Sequence, residues 1–173
     1  MSLWSWRSAV VVLLGFLGSL TTAEATTLAG ITQDALIRQS QLIVQATPMT
    51  QTSRWRSGRI VSTFKLEVSR TLAGPKRSTI EVELLGGTVN GISQQVTGVP
   101  ALELHKPKLF FLRLRTGSNT YIPIQLGLGV FEPVAESNLW APMTGDIRNL
   151  GPTPEPVSLE RLTSKVRALR TAP

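Results

Sequence analysis

The sequence predicts a mainly β protein, a small barrel or sandwich with a short helix before it and an amphipathic helix after it. The densest apolar run beyond the N-terminus is Lys108 to Arg115, K-L-F-F-L-R-L-R. Since alternate residues of a strand share a face, both faces of this run begin apolar, as in a central strand. Ile60 to Leu72 alternates apolar and polar residues, and Pro and Gly separate the remaining runs. These observations predict a sheet built around Lys108 to Arg115.

Residues 1–25 predict a secretory signal peptide. Arg7 supplies a positive charge, Ala9 to Leu20 is interrupted only by Gly and Ser, and Ala23-Glu24-Ala25 has small residues where a signal peptidase reads them. An uncleaved membrane anchor is the alternative, but this run is shorter than the ~20 residues that span a bilayer. We expect cleavage after Ala25 and no stable membrane insertion of the rest.

The 173 residues include no cysteine. An exported domain without disulfides must rely on its apolar core, and such domains are ordinary in bacteria. We therefore expect a periplasmic or extracellular protein of a bacterium. Its predicted parts are a signal peptide over 1–25, a barrel domain over 26–150, and a proline-rich linker with a helix over 151–173.

The first elements of the barrel domain follow from local patterns. Leu28 to Ser40 predicts a short helix with Thr32 as its N-cap. Leu42 to Ala46 predicts a first strand, which Pro48 confines to an edge or a bend. Met49 to Gly58 is polar and basic, with Trp55 between two arginines, so it predicts a loop.

The next two runs predict a hairpin. Ile60 to Leu72 alternates with Phe64 on its core face, and Thr79 to Leu85 returns after a Pro/Gly turn. Glu81 and Glu83 then share the outer face of the third strand. No feature of the sequence indicates that either carboxylate is desolvated.

Gly86 to Pro107 predicts a long loop. Its glycines and prolines break any regular period, although a short hairpin around Gln94 is possible. Loops of this length are often functional, so the segment is a second candidate surface. Its candidate residues are Gly86, Gly87, Gly91, Gly98 and Pro100.

The chain after the central strand predicts further pairing. Thr120 to Ile124 follows a turn and pairs back, and Leu139 to Leu150 predicts an edge strand. Gly127 and Gly129 alternate with apolar residues, which indicates a tight barrel bend or a place where an aromatic ring crosses.

A closing helix is predicted over Leu159 to Leu169, with Ser158 as its cap. Leu159, Leu162, Val166 and Leu169 form its apolar stripe, and basic residues cluster toward its end. Such a helix can bind an anionic membrane surface or pack on its own domain. We favour packing, because the stripe contains neither Trp nor Phe.

The order of motifs from Leu42 to Phe131 resembles a family of uncharacterised exported bacterial domains. The resembling pieces are L-I-V-Q-A, S-R-W with G-R-I-V-S-T-F-K-L-E-V, L-A-G-P, G-G-T-V-N-G-I, V-T-G-V-P-A-L and L-F-F-L. The plan is more distantly similar to netrin-like domains, which include the tissue metalloproteinase inhibitors. This resemblance implies an OB-like Greek-key barrel. Those inhibitors present an N-terminal cysteine to the protease metal, which this chain lacks.

The residue types for catalysis are scarce. His105 is the only histidine, so it cannot form a multi-histidine zinc site, and no cysteine can assist it. The chain contains no G-x-S-x-G motif, and G-G-T-V-N-G does not open a helix as a phosphate-binding loop would. We predict a non-enzyme without metal or cofactor. A netrin-like protease inhibitor and a hydrolase that uses His105 are the alternatives.

Binding is the remaining class. The net charge is +7, and residues 1–25 contribute only one Arg and one Glu to it. This excess either keeps the domain soluble or favours an anionic partner. The partner we expect is an unknown protein or an anionic envelope polymer, and nucleic acid is the least expected outside the cytoplasm.

OB-like barrels bind along one face and its flanking loops. The candidate binding residues here are Arg54, Trp55, Arg56, Arg59, Arg113 and Arg115. An aromatic ring among arginines suits stacking combined with charge attraction. Alternatively, Trp55 covers the barrel end. Trp140 has the same two interpretations, with core cover preferred.

Overall fold

A computed structural model describes residues 30–144 and 151–171, the side chain of Thr171 excepted. The predicted signal peptide lies outside the described residues, as does the end of the edge strand predicted to reach Leu150. The described helices are α1 (Gln33–Gln39) and α2 (Leu159–Thr171). The strands are β1 (Leu42–Arg56), β2 (Arg59–Ala73), β3 (Thr79–Leu85), β4 (Gly87–Val89), β5 (Ile92–Gln94), β6 (Lys108–Leu114), β7 (Tyr121–Pro123), β8 (Val130–Pro133), β9 (Leu139–Pro142) and β10 (Val157–Ser158).

Five strands form a closed barrel in the order β1-β2-β3-β7-β6, and pairing of β1 with β6 closes it. Neighbouring strands are antiparallel except β3 and β7, which run parallel where Val82 pairs with Tyr121. The predicted OB-like Greek-key barrel with an N-terminal and a C-terminal helix is therefore confirmed.

β6 is the central strand, as predicted. It pairs with β1 and β7 inside the barrel and with β8, through which β9 and β10 extend the sheet. Phe110 and Leu112 fill the barrel interior, whereas Leu109 and Phe111 enter a second core on the outer side of the strand. The strand ends exposed on both faces, because Leu114 as well as Arg113 reaches solvent.

The helices cover the second core. The Thr32 hydroxyl caps α1 by accepting a hydrogen bond from Ala35 N at 3.2 Å. Leu162 and Val166 of α2 are buried in this core, so the amphipathic helix packs on its own domain. Trp140 is buried there too, in agreement with the preferred interpretation.

Polar contacts join the two helices and the start of the barrel. Lys165 of α2 contacts the Asp34 carboxylate of α1 at 2.5 Å. Arg170 donates to the carbonyl oxygens of Ile37 in the last turn of α1 and of Ser40, the residue that caps its end. Neither described helix has the length and apolar character needed to cross a bilayer.

The prediction of a loop over Met49 to Gly58 is wrong, because β1 continues to Arg56. A two-residue turn at Ser57 and Gly58 reverses the chain, with φ angles of 47° and 75°. Two successive positive φ angles match the type I′ turn that suits a twisted hairpin. Pairing between β1 and β6 ends at Ala46, two residues before Pro48. Because β6 has no partner at Pro48, the missing N–H of proline costs no hydrogen bond to β6.

Two glycine-containing segments also differ from expectation. The Gly86 to Pro107 segment contains a hairpin, but it is β4 and β5 around an Asn90-Gly91 turn, earlier than predicted. Gly127 and Gly129 lie in a 3₁₀ turn rather than a strand. Gly129 allows a close backbone approach, because a Cβ there would lie 2.8 Å from Ile124 N.

Candidate functional site

Glu83 is the centre of the most distinctive charged cluster. It lies on the outer face of β3, and the sequence predicted it to be solvated, but its side chain is only 4% exposed. Arg56 donates a hydrogen bond to its Oε2 atom. Arg115 Nη1 and Arg54 Nη2 approach the same oxygen at 3.7 and 3.8 Å. The prediction of a solvated carboxylate is therefore wrong.

The barrel topology brings these arginines to β3 from two directions. Arg54 and Arg56 are alternate residues of β1, so they share one face beyond Pro48. Arg115 follows β6, and its N–H donates to Thr120 O at 2.9 Å to open the turn into β7. Because β7 lies between β6 and β3, this turn places Arg115 near Glu83.

A cavity of about 690 Å³ opens beside Glu83, and we call it the arginine pocket. Its polar lining comes from Gln39, Arg56, Glu83, Arg113, Arg115 and Gln125, and its apolar lining from Leu84, Leu85, Ile122, Pro123, Ile124 and Leu126. Its volume is in the range of small-molecule sites. Cations and an apolar wall thus line one concave surface.

Arg113 adds a positive charge to the pocket and forms no ion pair within the described residues. It pairs in register with Ile122 of β7, whose side chain lines the same pocket. Within residues 30–144 and 151–171, no carboxylate forms an ion pair with Arg113. Its planar guanidinium can therefore bind a carboxylate, phosphate or sulfate group in two-pronged geometry.

The backbone of the pocket wall is strained at two residues. Gln125 and Leu126 have φ angles of 48° and 53°, a left-handed region that ordinary side chains disfavour. Such strain costs of order 1–3 kcal/mol per residue and clusters at functional sites. No sequence signal indicated it, because neither residue is Gly or Asn.

The structure brings together Arg54, Arg56, Arg113 and Arg115 and separates Trp55 from them. Arg59 lies directly opposite Arg56 on the same face of the hairpin, where it is exposed and makes no ion pair in the described ranges. Trp55 lies between Arg54 and Arg56 in sequence and therefore points to the opposite face of β1. It is 48% exposed, so about half of its surface is open to solvent.

The glycine-loop candidates lie outside the arginine pocket. Gly86, Gly87 and Pro100 line a second cavity of about 360 Å³ at the mouth of the barrel. Gly98 and Pro100 line another of about 650 Å³. Gly91 occupies the β4–β5 turn, where added side-chain atoms would meet open space.

His105 also lies outside the pocket, on an exposed loop. Its backbone N–H donates to Pro48 O at 2.8 Å. Next to it, Lys106 hydrogen-bonds Glu103 at 2.6 Å, which lowers the pKa of the Glu103 carboxyl. In the ranges that the structure describes, no three His, Asp or Glu residues are grouped to hold a metal ion.

Sequence reasoning missed Glu83 as the organising residue of the site. The alternation of residues in β3 correctly predicted that Glu83 lies on the outer face of the strand. It could not predict which side chains from other strands cover that face. No protein-family model matches the chain, and no curated protein matches it either. The resemblance to a family of uncharacterised exported bacterial domains and the more distant one to netrin-like domains stay predictions.

Proposed function

We propose that the protein is an exported, non-enzymatic binding module that recognises the anionic groups of an envelope polymer or an acidic protein. The observation that carries this proposal is Arg113, a guanidinium without an ion pair in the described ranges, beside Arg56 and Arg115 in one cavity. An anionic group that enters the cavity would give Arg113 an ion pair, which it lacks within the described ranges.

The balance of charge supports an anionic ligand. Three arginines approach Glu83 and Arg113 lines the same pocket, so four guanidinium charges and one carboxylate leave the cluster with a positive excess. The cavity is partly shielded from water, which strengthens each electrostatic contact relative to the open surface. A ligand carboxylate, sulfate or phosphate is therefore favoured over a neutral group.

Glu83 prepares the site for a ligand. By holding Arg54, Arg56 and Arg115, it limits the rotamers of three long side chains before binding. Binding to an ordered side chain loses less conformational entropy, about 0.5–1.5 kcal/mol less for each immobilised side chain.

The position of the pocket on the barrel supports the same function. OB-like barrels bind ligands on the face of their second and third strands and on the loops that join the first pair and the last pair. Here Arg56 directly precedes the β1–β2 turn, Arg115 directly follows β6, and Glu83 lies on β3. The arginine pocket therefore occupies the corresponding face.

The test is salt-dependent binding of the full chain to heparin, lipopolysaccharide and polyglutamate. We expect saturable binding that weakens as NaCl rises, and loss of about tenfold in affinity in Arg113→Ala, as expected for one charge-assisted contact.

The matched control is Arg70→Ala, which removes an equal charge from the exposed far end of β2. It should bind nearly as tightly as the wild type. Equal losses in the two variants would mean that only the overall charge matters, and the pocket would then have no specific role.

A further inference from the structure

A second face of the β1–β2 hairpin carries different chemistry. Gln51, Ser53 and Trp55 share one face of β1, the face opposite to that of the arginines. Across the hairpin they pair with Phe64, Ser62 and Ile60 respectively. This face continues from the barrel interior to the barrel mouth.

Side-chain hydrogen bonds order this face. Ser62 Oγ donates to Gly86 O at 2.7 Å, so in its 2.8 Å bond with Ser53 Oγ the donor is Ser53. Gln51 Nε2 donates to Ser62 Oγ at 3.2 Å. Gln94 Oε1 accepts from Ile60 N at 2.7 Å, which fixes the Gln94 amide and leaves its NH₂ group available.

The local backbone is shaped for this cluster. Gly87 has a φ of 128°, and a Cβ there would collide with Ser62 Oγ and lie 2.7 Å from Ser53 Oγ. Gly87 therefore leaves room for both hydroxyl groups. The sequence marked Gly87 as a candidate loop residue without indicating what it accommodates.

The cavity beside the cluster contains no charge. Its volume is about 360 Å³, and every lining residue is apolar or a neutral polar residue, including Gln51, Phe64, Gln94 and Gln95. The Gln95 side chain is exposed and makes no hydrogen bond within the described ranges. Trp55 lies two residues, roughly 7 Å, from Ser53 along the strand.

We propose that this mouth binds an uncharged saccharide, with one ring in the cavity and a neighbouring ring against Trp55. Amide and hydroxyl groups both donate and accept hydrogen bonds, which matches the hydroxyls of a sugar. An exposed indole offers a broad apolar surface with a polar edge, which matches the apolar face of a sugar ring. The absence of charge in the lining separates this ligand from the anion proposed for the arginine pocket.

The experiment is a tryptophan-fluorescence titration of the full chain with maltotriose and with tri-N-acetylchitotriose. We expect a saturable change with at least one of them. The change should be lost in Trp55→Phe, which keeps the other three tryptophans of the chain. Raising NaCl from about 50 to about 500 mM should leave the affinity nearly unchanged, because no charge is involved.

Two variants localise the site. Gln95→Ala should weaken binding about three- to tenfold, the equivalent of one side-chain hydrogen bond, and should not change thermal stability. Arg113→Ala should bind the saccharide as the wild type does, so failure of this proposal and failure of anion binding are distinguishable. Absence of saturation with both trisaccharides, or unchanged affinity in Gln95→Ala, would overturn the proposal.

Discussion

Thr63 lies directly opposite Glu83 in the pairing of β2 with β3. Its hydroxyl oxygen is buried and has no hydrogen-bond partner within residues 30–144 and 151–171. An unsatisfied buried hydroxyl costs about 1–3 kcal/mol. The Thr63 hydroxyl and the Glu83 carboxylate are thus buried side by side on the outer face of the barrel.

Thr63→Val should stabilise the protein. Valine keeps the shape of threonine and removes the unpaired hydroxyl, so we expect the free energy of unfolding to rise by about 0.5–1.5 kcal/mol. Urea denaturation with an unchanged m-value measures the difference. Thr63→Ser, which keeps the hydroxyl and loses a methyl group, should be less stable than the wild type. A destabilised Thr63→Val variant would show that the hydroxyl has a partner.

Glu83→Gln should destabilise the protein by about 1–3 kcal/mol. The substitution keeps the side-chain shape but removes the charge that holds three guanidinium groups, and hydrogen bonds to charged groups contribute in this range. We place it below the 3–5 kcal/mol of a fully buried pair because the arginines are partly exposed and solvent screens them.

The matched control for this substitution is Glu81→Gln. Glu81 shares the outer face of β3 two residues earlier, but it is exposed and has no ion pair in the described part of the chain. Its unfolding free energy should change by no more than about 0.5 kcal/mol. Equal effects at both positions would mean that burial of Glu83 contributes no stability.

Local patterns were sufficient for much of the barrel. The alternation of β2 and the apolar run of β6 gave the strands and their faces, because one side of each strand must enter a core. The apolar stripe and the cap of α2 likewise predicted a helix, because one side of that helix must also enter a core. In contrast, β1 beyond Pro48 leaves both faces largely exposed, so its polar sequence resembled a loop although it is a strand.

The site depends on neighbours that no local pattern contains. Arg115 helps to cover Glu83 although more than thirty residues separate the two in sequence. It does so because β7 lies between β3 and β6 in the sheet, which places the β6–β7 turn near Glu83. The separation of Trp55 from Arg54 and Arg56 follows from strand alternation, but only once Met49 to Arg56 is known to be a strand. Long-range pairing thus decides which of the predicted binding residues can act together.

Gly129→Ala should be strongly destabilising. The new methyl group would collide with the backbone of Ile124, 2.8 Å from its nitrogen, and backbone atoms cannot move aside as a flexible side chain can. We expect a loss of more than about 3 kcal/mol, the upper range of overpacking. Thermal unfolding followed by circular dichroism measures it.

Gly117→Ala provides the contrast. Gly117 has a φ of 69°, but a Cβ there meets no atom within 4 Å. Only the left-handed conformation opposes the substitution, at about 1–2 kcal/mol. If Gly117→Ala were the more destabilising of the two, the close backbone approach at Gly129 would not be real.

Lys108 and Glu132 should respond unequally to substitution. Lys108 Nζ donates to Glu132 Oε2 at 3.0 Å, and the lysine side chain is 3% exposed whereas the glutamate is 48% exposed. Glu132→Ala would leave a buried ammonium without its partner, so we expect a loss of about 1–3 kcal/mol, reduced by solvent at the open side. Lys108→Met removes the buried charge and keeps the volume, so stability should change little or rise.

The two variants, compared by urea denaturation at neutral pH, separate the contribution of the ion pair from the cost of burying Lys108. A larger loss in Lys108→Met than in Glu132→Ala would show that the pair is a net source of stability at the start of the central strand.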